Sequence, residues 1–457
     1  MFRIESDSIG ERQVPINAYY GIQSLRAKEN FRISGRKVHP ELILSAVEIK
    51  KGSAIANFKA GAISKEVYES IVYACDRILK GEFLDDFIVD AIQGGAGTSL
   101  NMNVNEVIAN VAIEYLGGNK GDYSIVHPND HVNCGQSTND VYPSAGKITL
   151  IKLINKAIRE LSLLSDAFSQ KGKEYRNVIK MGRTEMQDAV PISFKQVFNA
   201  YSRPIERDVS RLNTAIKYLS TLNMGGTAIG TKVNAEKVYV ESVVTEIANV
   251  CNLSLKQASD LVDSTQNLDV FVEVSGYIKT CATNLSKIAN DLRLLSSGPR
   301  TGFSEINLPA KQNGSSIMPG KINPVIPEVI NQICFKIFGN DCTVTHAVEG
   351  GQLELNAFEP VIFDSLIESL TLLTNGAKAF RTECVEGITV NEKVCLDNVL
   401  NSISIITATC PKLGYKKASS LAKKALKENK TVKQVLIEEN LYSSEEADKV
   451  LDPNNMI

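Results

Sequence analysis

The chain has no tryptophan and only four histidines, His39, His127, His131 and His346, with no HExxH pair, so a zinc enzyme is not indicated. Nine cysteines, at 75, 134, 251, 281, 334, 342, 384, 395 and 410, contain no CxxC and mostly fall in apolar helical patterns. They read as the reduced, buried thiols of a cytosolic protein. Neither sign of charge dominates: 50 Lys and Arg stand against 52 Asp and Glu, a net of −2, so nothing recommends nucleic acid or an acidic membrane as partner. There is no run of 18 apolar residues, and the opening MFRIESDSIGERQVP lacks the apolar core of a secretion signal, which leads to the expectation of a soluble, cytoplasmic protein. Internal repeats and low-complexity tracts are also missing. GGAGTS (Gly94–Ser99) lacks the third glycine of a dinucleotide fingerprint, and PGKIN (Pro319–Asn323) lacks the Ser or Thr that follows the lysine of a P-loop. Nucleotide binding is therefore rejected.

What is present is helical periodicity over most of 457 residues, a length that suggests roughly three domains. Spacing predicts helices over 41–61 and 64–80. After Pro143, one apolar stripe runs through Ile148, Ile151, Ile154, Ile158, Leu161, Leu164 and Phe168. Four more long segments follow at about 193–222, 264–297, 325–346 and 354–386, the first carrying Pro204, which is expected to kink it or end a turn. Helices this long and apolar on more than one side need partners, which points to a central bundle of about five, completed by other subunits. From about residue 394 the chain turns smaller and more charged, with capping boxes at Thr431/Gln434 and Ser443/Glu446. The expected fold is mainly α in three domains: an N-terminal helical domain over 1–138, a long-helix bundle over 139–393 and a small helical domain over 394–457.

Polar chemistry gathers in four stretches placed just before long helices. These are Gly97-Thr98-Ser99, Gln136-Ser137-Thr138-Asn139, Gly182-Arg183-Thr184-Glu185 and Gly314–Pro324 (GSSIMPGKINP). Each taken alone is an ordinary N-cap or turn. Several helix N-termini converging at one end of a bundle would instead make a receptor for a small anion. The Gly314 stretch, with two glycines and two prolines, is expected to be a loop carrying Ser315, Ser316, Lys321 and Asn323. His127 and His131 are four apart, but Pro128 and Asn129 argue for a loop and an ordinary hydrogen-bonding role.

Taken together, GSSIMPGKINPVIPE (Gly314–Glu328), HPNDHVNCGQSTND (His127–Asp140), GGAGTSLNMNVNE (Gly94–Glu106), GRTEMQDAVP (Gly182–Pro191) and GGTAIGT (Gly225–Thr231) resemble the aspartase/fumarase superfamily, nearly end to end. NDLRLLSSGPRTGFSEINLP (Asn290–Pro309) and FGNDCTVT (Phe338–Thr345) are more similar to its aspartate ammonia-lyase branch than to fumarases. The resemblance implies a homotetramer built on a shared helix core, with active sites assembled from three subunits. It implies reversible deamination of L-aspartate, a small dicarboxylate, to fumarate and ammonia. No organic cofactor is implied, and activation by a divalent metal is left open. Fumarate hydratase, a lyase acting on a substituted aspartate and a catalytically silent structural member are the alternatives. By match to the family motifs, Ser316 would be the general base, with Thr98, Ser99, Ser137, Thr138, Asn139, Thr184, Glu185, Ser315, Lys321 and Asn323 around the substrate.

Those residue types suit the chemistry. Removing a proton from the carbon beside a carboxylate builds an aci-carboxylate with two negative charges, and hydroxyls, amides and one cation aimed there stabilise it. Three residues depart from the family's usual pattern. Glu185 stands where histidine or glutamine is common, and a carboxylate facing a substrate carboxylate is repulsive, so Glu185 is expected to carry a proton in the complex or to turn toward a basic neighbour such as Lys180. Lys195 and Lys232 stand where glycine is common, and the sequence suggests no reason beyond surface charge.

Overall fold

The computed structural model describes residues 1–457, and the fold is mainly α. The antiparallel hairpin β1 (Phe2–Asp7) and β2 (Gly10–Pro15) is followed by α1 (Ile22–Asn30), α2 (Pro40–Lys59), α3 (Lys65–Leu79) and α4 (Thr98–Tyr115). α5 (Thr138–Glu174) leads into a second antiparallel hairpin, β3 (Ile179–Thr184) and β4 (Gln187–Ser193), and then α6 (Phe194–Leu219). β5 (Thr221–Leu222) pairs in parallel with β6 (Lys256–Gln257), with α7 (Lys237–Cys251) between them in sequence. The short α8 (Asp263–Gln266) precedes α9 (Asp269–Leu295), β7 (Ile306–Asn307), α10 (Val325–Glu349) and α11 (Glu359–Glu383). β8 (Thr389–Val390), which pairs with β7, opens the final run of α12 (Glu392–Asn401), α13 (Cys410–Leu413), α14 (Tyr415–Glu428), α15 (Val432–Glu438) and α16 (Ser444–Val450).

The five long helices α5, α6, α9, α10 and α11 fall on the five periodic segments, with two differences. α5 starts at Thr138, ahead of Pro143. Pro143 cannot donate to the Asn139 carbonyl four residues back, and the Asn223 side chain donates there instead at 2.9 Å. Pro204 lies inside α6, which continues unbroken to Leu219.

The chain forms two compact units, Met1–Ile158 with Ser210–Thr280 and Lys336–Leu373, and Arg159–Val209 with Cys281–Phe335 and Thr374–Ile457. In the first unit, Phe363 of α11 packs on Tyr142 of α5 and Phe271 of α9, with ring centroids 5.4 and 5.0 Å apart. Gly146 makes this possible, because a Cβ there would sit 2.1 Å from the Phe363 ring. In the second unit, Phe168 of α5 meets Tyr201 of α6 and Phe380 of α11 edge-on at 5.6 and 6.1 Å. Asn331 of α10 donates to the Ser286 hydroxyl of α9 at 2.9 Å. The C-terminal helices bury Val399, Leu421, Val435, Leu436 and Leu451 as one cluster. Both expected capping boxes are formed there.

All nine cysteines are free; Cys75, Cys281, Cys334, Cys384 and Cys395 are buried as expected, while Cys342 is exposed on α10. No helix is long and apolar enough to cross a membrane.

Candidate active site

In the first unit, the turn that starts α5 is held from behind by one buried carboxylate. Asp140 accepts the Ser137 N–H at 2.9 Å on Oδ1, and the Gly225 and Thr227 N–H groups at 3.2 and 3.0 Å on Oδ2. The Ser137–Asn139 turn and the Gly225–Ala228 turn are thus tied together through backbone. Asn139 adds a second tie, from Nδ2 to the Ala228 carbonyl at 2.7 Å. Burial pushes the Asp140 carboxyl up to about 7, against the pull of its backbone donors and of Lys50. The two turns line a cavity of about 380 Å³ with Asn101, Asn133, Ser137, Thr138 and Thr227 on its wall. Thr227 has φ +59°, a genuine outlier for a β-branched residue, and its buried hydroxyl has no partner.

Thr98 and Ser99 open α4 in the same unit and line a separate cavity of about 500 Å³ with Arg26, Glu106 and His127. Thr98 Oγ1 donates to the Gly95 carbonyl at 2.7 Å. Met102 lines both cavities. The His127–Val132 stretch is a single π-helical turn (Pro128–Val132) capped by His127, rather than a loop. Each imidazole has the expected ordinary role, His131 Nδ1 accepting the His127 N–H at 2.9 Å and His127 Nδ1 accepting from Asn129 and Asp130.

In the second unit, Gly314–Pro324 is the expected loop, and it has a defined neck. Gly314 N–H donates to the Lys321 carbonyl at 2.7 Å, and Asn323 Nδ2 donates to the Gly314 carbonyl at 2.9 Å. Ser315 Oγ accepts the Ile317 and Met318 N–H groups and so shapes the tip. Ser316 and Lys321 are exposed on it, beside Ile317 at 83 % exposure. Asn323 and Ser315 therefore build the loop, while Ser316 and Lys321 are free to face a ligand.

Thr184 and Glu185 lie at the tip of the β3–β4 hairpin. Thr184 pairs with Gln187, leaving Glu185 and Met186 as a two-residue turn at φ +52° and +66°. Two successive left-handed residues make the turn typical of tight hairpins, which favours Asn and Gly. Lys180 is not the partner of Glu185. It is buried, with Nζ 3.1 Å from Glu305 Oε2, while Arg183 holds Glu305 Oε1 at 2.7 Å and stacks over the Phe303 ring. A fully buried Glu305 outcompetes a carboxylate at an exposed turn, because an unpaired buried charge is far more costly. The hairpin borders a cavity of about 820 Å³, mostly apolar, that also carries Tyr201 and Leu294.

Lys195 is exposed near the start of α6. Lys232 sits at φ +66°, the left-handed region, which explains why glycine suits that position. The residues that organise the first unit's cavity, Lys50, Asn101, Asn133, Asp140 and Thr227, were not singled out from the sequence. The glycines flanking Thr227 were the available signal.

Mainly helical architecture with polar turns at helix starts and a serine-bearing glycine loop agrees with what the resemblance to fumarase-type lyases implies, and similarity shows the family. A family model described as Lyase matches residues 10–339, and one described as Fumarase C C-terminus matches 405–457. The chain belongs to this lyase family. It is 49 % identical over 457 residues to an aspartate ammonia-lyase of Helicobacter pylori, covering all of this chain and 98 % of the relative. An aspartate ammonia-lyase of Bacillus subtilis is 48 % identical over 455 residues, covering 100 % and 96 %. Among solved structures, a fumarate lyase:delta crystallin from Brucella melitensis bound to cobalt superposes with a TM-score of 0.97 at 47 % identity, covering 100 % and 99 %. A class II fumarase from Schistosoma mansoni does so at 0.96 and 35 %, covering 99 % and 98 %.

Proposed function

We infer that the protein deaminates L-aspartate reversibly to fumarate and ammonia, as a carbon–nitrogen lyase. The observation that carries this reading is full-length identity of 47–49 % to relatives named aspartate ammonia-lyase. The intact Ser316 loop is in keeping with it.

In this reading Ser316 removes the proton from the carbon beside the side-chain carboxylate. Thr138, Ser137, Thr184 and Lys321 supply donors to the aci-carboxylate that forms, with Thr98 and Ser99 at the start of α4 aiding the same anion. One well-placed donor of this kind is worth roughly 2.7–4 kcal/mol of barrier. A serine base is costly near neutral pH, and a lysine cation with loop backbone N–H groups would lower that cost. The buried Asn101 Oδ1 has no partner, and an acceptor of this sort suits the substrate ammonium. The ammonium leaves without a strong acid, so side chains and backbone suffice and no organic cofactor is invoked.

The working form is a homotetramer whose sites draw residues from three copies. Supporting this, α10 exposes Val329 at 39 % and Phe335 at 61 %, and Gly339 on the same helix has open space beside it. A glycine inside a helix costs about 1 kcal/mol relative to alanine, a cost that close approach of another helix would repay. Free thiols throughout fit a reducing cytoplasm.

The similarity to a class II fumarase sustains one second reading, hydration of fumarate. Following fumarate absorbance with L-aspartate and with L-malate, with Ser316→Ala as control, separates the two. Fumarate from aspartate alone, lost in the variant, is the expected result. Fumarate from malate alone would replace the reading with the second, and activity retained by Ser316→Ala would remove Ser316 as base. Silence with both would point to a substituted aspartate or to a structural role.

A further inference from the structure

Lys50, on α2, is 0 % exposed and donates to no carboxylate. Its Nζ donates to Asn133 Oδ1 at 2.7 Å and Gln136 Oε1 at 3.0 Å. A lysine head has hydrogens to give, so both amides must turn their oxygens toward it. Asn133 Oδ1 then also receives Asn101 Nδ2 and Asn105 Nδ2, each at 3.2 Å. Asn101 Nδ2 has a second hydrogen, and it goes to Thr138 Oγ1 at 3.1 Å. With its oxygen engaged as an acceptor, Thr138 keeps its own proton for whatever enters the cavity.

We propose that Lys50 is a positioning residue that fixes the hydrogen-bond direction of the Asn133–Asn101–Thr138 chain, so that Thr138 meets the substrate carboxylate as a donor. Two further observations support this. Burying an ammonium without a contacting anion is costly, and an apolar side chain of similar size would be the more stable choice. The orientation has a visible cost too: Asn101 Oδ1 and Asn105 Oδ1 are both buried without partners, because their nitrogens are drawn to Asn133. Burial lowers the Lys50 pKa to about 7, with Asp140 and Cys75 opposing the shift. The chain direction survives deprotonation, since a neutral amine still has two hydrogens for its two amide acceptors.

This inference rests on reading Ser137–Asn139 as a substrate-binding turn, and its test separates the two. Lys50→Met, Thr138→Val and the double variant are compared with wild type for kcat and KM with L-aspartate, Kd for succinate, and Tm. Lys50→Met and Thr138→Val are each expected to raise KM and the succinate Kd at least tenfold, with Tm held or raised in Lys50→Met. The double variant is expected to bind within threefold of Thr138→Val, because both changes remove one donor. Lys50→Met binding within twofold of wild type while Thr138→Val weakens, or losses that multiply in the double variant, would overturn the proposal. Should Lys50→Met fail to fold, Lys50→Arg and Lys50→Gln decide: arginine, with donors only, should retain affinity, and glutamine, whose amide can turn either way, should not. Equal affinities for those two would overturn it. A wild type that binds succinate but leaves aspartate unchanged rejects the deamination reading and leaves the succinate arm to judge Lys50. One that does neither overturns both.

Discussion

Gly314→Ala should disable the serine loop without unfolding the protein. The backbone at Gly314 does not need glycine's conformational range, since its φ is not positive. The obstacle is space. A Cβ would lie 2.6 Å from the Lys321 carbonyl oxygen and 2.8 Å from the Asn323 nitrogen, both backbone atoms. To admit alanine the neck must open, losing the Gly314–Lys321 and Asn323–Gly314 hydrogen bonds. Two such bonds are worth about 1 kcal/mol each, and overpacking adds about 1–3 kcal/mol in a rigid core. An exposed loop relaxes, so a total of roughly 2–3 kcal/mol against the closed neck is the fair sum. At a factor of ten per 1.4 kcal/mol, the share of molecules with Ser316 in place falls roughly 30- to 150-fold. The loop tip packs on little, so Tm should barely move. The assay is kcat/KM for L-aspartate by fumarate absorbance beside a thermal melt. Activity within threefold of wild type would show that the neck does not hold the base, and a joint loss of activity and Tm would show that its role is in folding.

Other substitutions test separate parts of the molecule. Ser316→Ala should lower kcat by about 10²–10⁴, the range for a lost general base, with Tm unchanged; a fall below tenfold would exclude Ser316 as base. Glu305→Gln leaves Lys180 and Arg183 with half their partner and should destabilise by about 3–5 kcal/mol in chemical denaturation, as broken buried pairs do; a loss below 1 kcal/mol would mean that the cluster is wetter than its burial implies. Glu185→Gln should lower KM for aspartate if the carboxylate repels the substrate, and an unchanged KM would place Glu185 outside the pocket. His39 caps α2 by accepting the Glu41 N–H at 3.1 Å, and burial holds its pKa below the usual value. Because the folded value lies below the unfolded one, near 6.5, this cap's roughly 1 kcal/mol is present above that pH and is lost as pH falls through the folded value. Melts from pH 7.5 to 5 should show a decline that His39→Asn, a cap that does not titrate, lacks.

The long helices were legible because burial on several faces repeats apolar residues at helical spacing over many turns. Capping boxes were legible because both partners lie within four residues. Pro143 and Pro204 misled: Pro204 is taken into α6 without a break, and at Pro143 another donor reaches the freed carbonyl. That donor at Asn139 is Asn223, remote in sequence. The Glu185 neighbour failed for a related reason: Lys180 is close in sequence, but Glu305 claims it from a distant segment. The serine loop could be read from its glycines and prolines, whereas its neck, a contact between backbone atoms, leaves no trace in residue type. Lys50 was invisible because a lysine in a helix reads as solvated until burial is known.

Three buried carboxylates are spent on the protein's own backbone and cations. Asp140 uses both oxygens on three N–H groups, Glu106 takes the N–H groups of Gly21, Gln23 and Ser24 at the start of α1, and Glu305 is divided between Lys180 and Arg183. In the proposed reaction, a carboxylate left facing the substrate would oppose a doubly charged aci-carboxylate. Asp140 and Glu305, committed in this way, fix the segments that carry Ser137, Thr138 and Thr184. Glu185 is the exception among the candidate residues, an acid at the tip of a strained turn, where its neighbours commit it to nothing. Beside a substrate carboxylate its charge repels, and that repulsion is the cost that Glu185→Gln removes.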